Sequence, residues 1–455
     1  MLLSLPAPGP GISVYEPHIA IDPANPDRLA VAAQHGVRRG FGGRHLHLWV
    51  SDDAGSTWFH TAVPPPSHGP QFSADPLVAF DTSGGLIVVE TCAPAVIADH
   101  YDALGFTRQT VPSPERLLEL MLEGMPPAKL WERDWIGVSR SVDGGRTLSG
   151  QLIVGSPGGD KSAIAVDRYA TSPRYGSVYV LWADITRNLR IARSTDHGAT
   201  FNQPATIECW ATSHGAQIVA LPDGSVHVVW TLNSPPGAPT MELPRRDGAP
   251  PNARSVFYHS ISTDGGVGFC PPTVIGTHRG PGHVGLPAVA ADNGGRIMLV
   301  WGQADTLPNL DARPVIQPRH QLYGMLYDGK TWSSPRPLCP RVARNSHFGL
   351  PAVTSDGDTW RILTYVADEE LTRVVELTSA AMEPRFELDR VLAARAIGVD
   401  DISLMGSYLH RLCDDVAGIG DYIGIAAAHS RVVSTFILPA TDLPTDTATA
   451  YVAIN

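Results

Sequence analysis

Short apolar runs recur along the chain, each closing on an acid or a turn residue. They are Glu16–Asp22 (EPHIAID), Asp75–Asp81 (DPLVAFD), Asp160–Asp167 (DKSAIAVD), Ala216–Pro222 (AQIVALP), Leu286–Asp292 (LPAVAAD), Leu350–Asp356 (LPAVTSD) and Asp421–Ala427 (DYIGIAA). Near-continuous apolar character over this length suits a strand buried on both faces. A second apolar run follows several of them, at Val178–Trp182, Val226–Trp230, Ile297–Trp301 and Trp360–Tyr365. A third strand then runs into a polar turn and a fourth leaves it. The pattern predicts one antiparallel unit of four strands, repeated.

The polar turns carry a phrase of their own, Ser-x-Asp-x-Gly-x-x-(aromatic or apolar). It reads Ser51-Asp52-Asp53-Ala54-Gly55-Ser56-Thr57-Trp58, then Ser141 to Leu148, Ser194 to Phe201 and Ser262 to Phe269. A degenerate fifth copy runs from Tyr327 to Trp332. Asp accepts hydrogen bonds from nearby backbone amides and Gly tolerates positive φ, so the phrase makes a tight turn. Its last residue packs back under the hairpin.

These copies resemble the Asp-box, or bacterial neuraminidase repeat, of sialidase-superfamily β-propellers. Gly420-Asp421-Tyr422-Ile423-Gly424 near the end and the Glu16-Pro17 opening resemble the bacterial members, so the likeness covers the whole chain. It implies an all-β fold, a single β-propeller domain over residues 1–455. Seven strand openers predict seven four-stranded blades; sialidases have six, which stands as the alternative. The last blade shows three strands, Asp421–Ala427, Arg431–Leu438 and Ala448–Ile454, and Leu2–Leu5 is expected to supply the fourth and close the ring. Closure removes the exposed sheet edge.

Long insertions at Gln34–Arg44, Pro94–Asp134, Leu232–Arg254 and Gln303–His320 are expected on one face, the channel mouth. Within 94–134, Ser113 as N-cap, Pro114, an apolar stripe of Leu117, Leu118 and Met121, and Gly124 predict a short helix. It reads either as a lid or as packing decoration.

Composition narrows the function. A formal charge of −11 argues against a nucleic-acid partner, which needs a basic face. No apolar run is long enough to span a bilayer as a helix. The first residues lack the basic and apolar regions of a signal peptide, which predicts a cytoplasmic protein, or a secreted one whose leader has been removed. The five cysteines, Cys92, Cys209, Cys270, Cys339 and Cys413, show no metal-ligand spacing and are expected to be buried thiols.

Candidate chemistry gathers at the strand openers. His214, His283 and His347 stand just ahead of three successive inner strands. Each alone caps a turn; as a set they can act as acid or base, or hold one divalent metal ion. Acids stand at the other openers, Glu16, Asp75, Asp160 and Asp421, beside Tyr422. Arg38, Arg39, Arg254 and Arg313 lie on mouth insertions, where guanidinium groups receive anionic substrates.

The superfamily resemblance implies an arginine clamp for a sugar carboxylate, with the first arginine in an Arg-Ile-Pro stretch. Here that place reads Tyr15-Glu16-Pro17-His18-Ile19, an acid in place of the base. The expectation is therefore a sialidase-like enzyme that is not a sialidase. It would act on a small or glycosidic substrate by acid/base chemistry at the mouth. A His-ligated metalloenzyme and a non-catalytic glycan- or protein-binding propeller are the alternatives.

Overall fold

The computed structural model describes residues 1–7, 13–36, 45–63, 71–94, 134–155, 162–184, 186, 188–208, 215–233, 255–278, 286–304, 320–339, 346–380, 384–397, 420, 422–442 and 448–455. Twenty-eight strands form seven sheets of four, a seven-bladed β-propeller, and the described residues contain no helix. The helix expected within 94–134 lies outside the described residues.

The chain begins with β1 (Leu2–Ser4). Blade 1 is β2 (Ser13–Ile21), β3 (Leu29–Gly36), β4 (His45–Ser51) and β5 (Phe59–Ala62). Blade 2 is β6 (Gln71–Phe80), β7 (Leu86–Pro94), β8 (Trp135–Ser141) and β9 (Leu152–Gly155). Blade 3 is β10 (Ala163–Val166), β11 (Val178–Ala183), β12 (Leu189–Ser194) and β13 (Ala205–Ile207). Blade 4 is β14 (Gln217–Ala220), β15 (Val226–Asn233), β16 (Ser255–Ser262) and β17 (Thr273–His278). Blade 5 is β18 (Ala288–Ala291), β19 (Ile297–Ala304), β20 (His320–Tyr327) and β21 (Arg336–Pro337). Blade 6 is β22 (His347–Asp356), β23 (Thr359–Ala367), β24 (Thr372–Ala380) and β25 (Glu387–Arg395). Blade 7 is β26 (Gly424–Ala428), β27 (Arg431–Pro439) and β28 (Ala448–Ile454), completed by β1 as its outer strand. Leu2 pairs with Ala453 and Ser4 with Tyr451, and the Met1 ammonium donates to the Ile454 carbonyl at 2.7 Å. The seventh blade closes the ring as expected, and the six-bladed alternative falls.

Cores form between neighbouring blades. Val78, Phe80 and Val88 of blade 2 meet Ala30, Leu46 and Val50 of blade 1, and Val178, Val180 and Trp182 of blade 3 meet Ile87 and Val89 of blade 2. Small side chains on the inner strands let the sheets converge on the axis. Of the cysteines, Cys92 is buried as expected, but Cys270 is exposed and Cys339 half-buried, because the latter two sit on outer connections. Cys209 and Cys413 lie outside the described residues.

The four turn phrases share one hydrogen-bond scheme. In the first, Ser51 Oγ donates to Asp53 Oδ1 at 2.8 Å and accepts from the Gly55 N–H at 2.8 Å, while Asp53 accepts from the Thr57 N–H at 2.8 Å. Ser141, Ser194 and Ser262 repeat it around Asp143, Asp196 and Asp264. The Thr57 hydroxyl and N–H hold Asp53 down at a pKa of about 2.

Polar contacts also tie blade to blade. Trp332 of blade 5 donates its indole N–H to His259 Nδ1 of blade 4 at 3.2 Å. An indole only donates, so His259 carries its proton on Nε2 and donates to His227 Nδ1 at 2.9 Å. His227 Nε2 in turn donates to Ser225 Oγ at 2.9 Å, and Ser225 donates to Asp223 at 2.5 Å. Every donor in this chain is fixed by its two ends, a group that can only give and a carboxylate that can only accept. Burial depresses both imidazoles, His227 to about 4 and His259 to about 3.

Two outcomes follow from this architecture. Below pH 6.5 the unfolded chain takes up protons that the folded imidazoles refuse until about pH 4 and about pH 3. Stability is therefore expected to decline across that window, and chemical denaturation at a series of pH values should show a shallower decline for His227→Phe. Removal of residues 1–5 should uncover β28 as a free edge, lowering the melting temperature and producing oligomers on size exclusion.

Candidate functional site

The antiparallel order of each blade fixes two faces. The first ends of the inner strands and the second-to-third connections share one face, the mouth; the turn phrases occupy the other. β3, β7, β15 and β19 end, and β4, β8, β16 and β20 begin, on the mouth face; the insertions expected between them lie largely outside the described residues. Blades 3 and 6 have short connections there instead, Asp184 to Asn188 and Asp368 to Leu371.

Three inner strands are distorted near this face in the same way. In β2 the ladder shifts between Tyr15 and His18, so Glu16 and Pro17 together oppose one residue of β3. β6 repeats this at Asp75–Pro76 and β22 at Leu350–Pro351. The residue before each proline has a left-handed φ: 53° at Glu16, 52° at Asp75 and 49° at Leu350. Proline lacks the N–H that a regular ladder would use, so the bulge leaves no donor unpaired there. Left-handed φ at a non-glycine residue costs on the order of 1–3 kcal/mol and persists only where surroundings enforce it. Two of the three bulges carry acids.

Those two acids are joined through Gln34 of β3. The Asp75 N–H donates to Gln34 Oε1 at 3.1 Å, which orients the amide so that Gln34 Nε2 donates to Glu16 Oε2. Glu16 is fully buried and Asp75 nearly so. Blade 7 supplies the roof. Gly420, at φ 80°, lies so close to Glu16 that a Cβ there would fall 2.3 Å from Glu16 Cγ. Two residues on, the Tyr422 hydroxyl donates to the Pro76 carbonyl at 3.1 Å, spanning from blade 7 to blade 2 across the blade 1 opener. His18, the residue after the first bulge, is half-buried and accepts from the Val78 N–H at 3.2 Å through Nδ1. Burial holds its pKa down at about 4, so at neutral pH it is an uncharged imidazole with its proton on Nε2.

Of the residues singled out in the sequence, Glu16, Asp75 and Tyr422 thus fall in one patch across blades 7, 1 and 2. His347 opens β22, half-buried, on the same face in blade 6. Asp160, Asp421, His214, His283, Arg38, Arg39, Arg254 and Arg313 lie outside the described residues. Among the described residues no three His, Cys, Asp or Glu side chains converge as metal ligands. Gln34 and His18 escaped sequence reasoning. Their signal was present: each is a polar residue inside an otherwise apolar strand, LAVAAQ and EPHIAID.

No family model matches the chain, and no curated protein matches it. Among solved structures it is similar to a polysaccharide lyase of family PL25, an ulvan lyase, at 12% identity and a TM-score of 0.51, over 96% of each chain. A protein of unknown function from Dyadobacter fermentans is similar over 100% of this chain and 98% of its own, at 12% identity and a TM-score of 0.49. The intramolecular trans-sialidase from Ruminococcus gnavus, in complex with oseltamivir carboxylate, is similar over 85% of this chain and 94% of its own, at 13% identity and a TM-score of 0.47. At these identities the likeness is one of fold.

The tight seat of Gly420 on Glu16 is testable against a second left-handed glycine. Gly357, at φ 59°, has nothing within 4 Å of its would-be Cβ. Gly357→Ala should cost about 1 kcal/mol from the backbone alone. Gly420→Ala should cost clearly more, measured by urea denaturation, because the methyl group must also displace Glu16.

Proposed function

We propose that this protein is a carbohydrate-active enzyme that works by acid/base chemistry at the channel mouth, with Glu16 and Asp75 as its carboxyl groups. The observation that carries this reading is the Glu16–Gln34–Asp75 unit. Two neighbouring inner strands break register, accept left-handed φ before proline, and place an acid at each break. Strain of this kind collects at functional sites, where it sets the geometry of reacting groups.

In this reading Glu16 is the leading acid/base group. It is fully buried, and Gln34 holds one of its oxygens in a fixed direction. Asp75 is the second carboxyl group, and Tyr422 lines the site from blade 7. Asp160 and Asp421 extend the acid set. Arg38, Arg39, Arg254 and Arg313, from connections on the same face, are assigned to hold an anionic part of the substrate. Hydrolysis of a glycosidic bond needs one protonated and one ionised carboxyl group. Elimination beside a uronate needs a base and a group to neutralise the carboxylate. The fold admits the second chemistry: the ulvan lyase structure of the same fold is bound to a GlcA–Rha3S oligosaccharide.

The test is a panel of neutral and uronate-bearing polysaccharides, read for new reducing ends and for unsaturated uronate absorbance. The expected outcome is turnover of at least one polysaccharide, with kcat lowered about 100-fold or more in Glu16→Gln and Asp75→Asn and the melting temperature retained. Turnover at the wild-type rate in both variants would move the chemistry away from these acids.

A further inference from the structure

A groove of about 480 Å³ runs along the outer flank of the propeller between blades 2 and 3. None of its walls belongs to an inner strand, so it is separate from Glu16 and Asp75. One wall is β9, the outer strand of blade 2, where Leu152 and Ile153 are 38% and 41% exposed. The opposite wall is Arg190 of β12 with Phe201, which ends the third turn phrase. Trp182 of β11 lies at the floor.

Trp182 is 1% exposed, and its indole N–H has no hydrogen-bond partner. A buried donor left without an acceptor is costly, typically 1–3 kcal/mol in proteins, and calls for an explanation. The same strand position in blade 5 supplies the contrast. Trp301 donates to Gln303, two residues on, at 3.3 Å. In blade 3 that place is Asp184, and its carboxylate is already engaged, with Arg190 Nε at 2.7 Å, the Thr186 N–H at 2.8 Å and the Asn188 N–H at 3.2 Å. The indole is also pressed into the groove wall: a Cβ on Gly155 of β9 would lie 2.0 Å from Trp182 Cζ2, beside the ring edge that carries the N–H. Glycine at 155 is what allows this approach.

We propose that this groove is a second carbohydrate-binding site, holding a neutral, hydroxyl-rich oligosaccharide on the flank of the propeller. The chemistry of the walls selects that class. Trp182 asks for an acceptor, which a sugar hydroxyl or ring oxygen supplies. Arg190 has guanidinium N–H donors beyond those it gives to Asp184 and Thr206, and Asp184 neutralises its charge, so no net charge seeks a counter-ion. Leu152, Ile153 and Phe201 present apolar surface to the C–H face of a pyranose ring. The volume is that of a small-molecule site. The groove would anchor a polymer beside the mouth whatever chemistry occurs there, so the inference goes beyond the proposed enzymatic reading.

A printed array of plant, algal and microbial oligosaccharides, probed with the whole protein, tests it. The expected result is binding of a neutral oligosaccharide by the wild type, accompanied by a shift of the Trp182 indole N–H resonance. Affinity should fall at least tenfold in Trp182→Phe, which keeps an aromatic ring and removes the donor, and in Leu152→Lys, which blocks an exposed wall. Glu16→Gln should bind as the wild type does. The site is overturned if no oligosaccharide binds, or if Trp182→Phe binds unchanged. It is equally overturned if Glu16→Gln abolishes binding, which would assign the sugar to the mouth. Loss of turnover in Glu16→Gln with array binding intact would leave both readings standing.

Discussion

Closure of the ring is the constraint on which everything else depends. Seven twisted sheets face one another around an axis, and each buries one face against the next. An open ring would leave one blade without a neighbour and one outer strand without a partner. The chain solves this with its first strand: β1 completes the sheet begun by β26, β27 and β28, so the two ends of the polypeptide are held by one ladder. Because the ring is closed, a distortion in one inner strand cannot relax by letting a blade swing away.

That rigidity is what makes the mouth chemically interesting. Left-handed backbone before proline is unfavourable by itself, and an isolated hairpin would escape it. Here the strand is clamped on both sides. Gly420 of blade 7 sits on Glu16, and Gln34 ties Glu16 to the backbone of blade 2. Tyr422 reaches over to Pro76 and links the roof to the second bulge. Three consecutive blades therefore hold two acids in a fixed relation, and of these contacts only the Gln34–Glu16 bond lies within a single blade. The bulge itself is not reserved for acids, since Leu350–Pro351 in blade 6 uses it with an apolar side chain, paired with Thr364 donating to the Gly349 carbonyl at 2.9 Å. What distinguishes blades 1 and 2 is the residue placed on it.

The outer flank shows the same logic in reverse. Five second- or third-strand tryptophans, Trp49, Trp182, Trp230, Trp301 and Trp360, are fully buried and fill the spaces between sheets. Trp49 donates to the Pro6 carbonyl at 3.0 Å and Trp301 to Gln303. In blade 3 the repeat delivers the same bulk, but the neighbouring acid is taken by an arginine. Repetition sets volume reliably and leaves polar satisfaction to each blade's own neighbours.

The repeating units, the blade count, the turn geometry and the role of Leu2–Leu5 in closing the ring were all legible in the sequence. Strand periodicity and Asp–Gly turns act over a few residues, so local spacing carries them. The openers marked Glu16, Asp75 and Tyr422 as residues at one end of a channel, but spacing could not bring them together. Gln34 lies eighteen residues from Glu16 and forty-one from Asp75. It read as the edge of an insertion rather than as the bridge between two acids. The thiol expectation failed at Cys270 for a related reason, since burial on an outer connection depends on what the next blade covers. The tandem repeat by itself determined which strands form and how many blades they make, because those follow from short-range hydrophobic pattern. Only the tertiary structure decided which acids are buried, which amide orients them and which indole is left without a partner. Each of those depends on which side chains the strands and blades bring together, and the short-range hydrophobic pattern does not encode that.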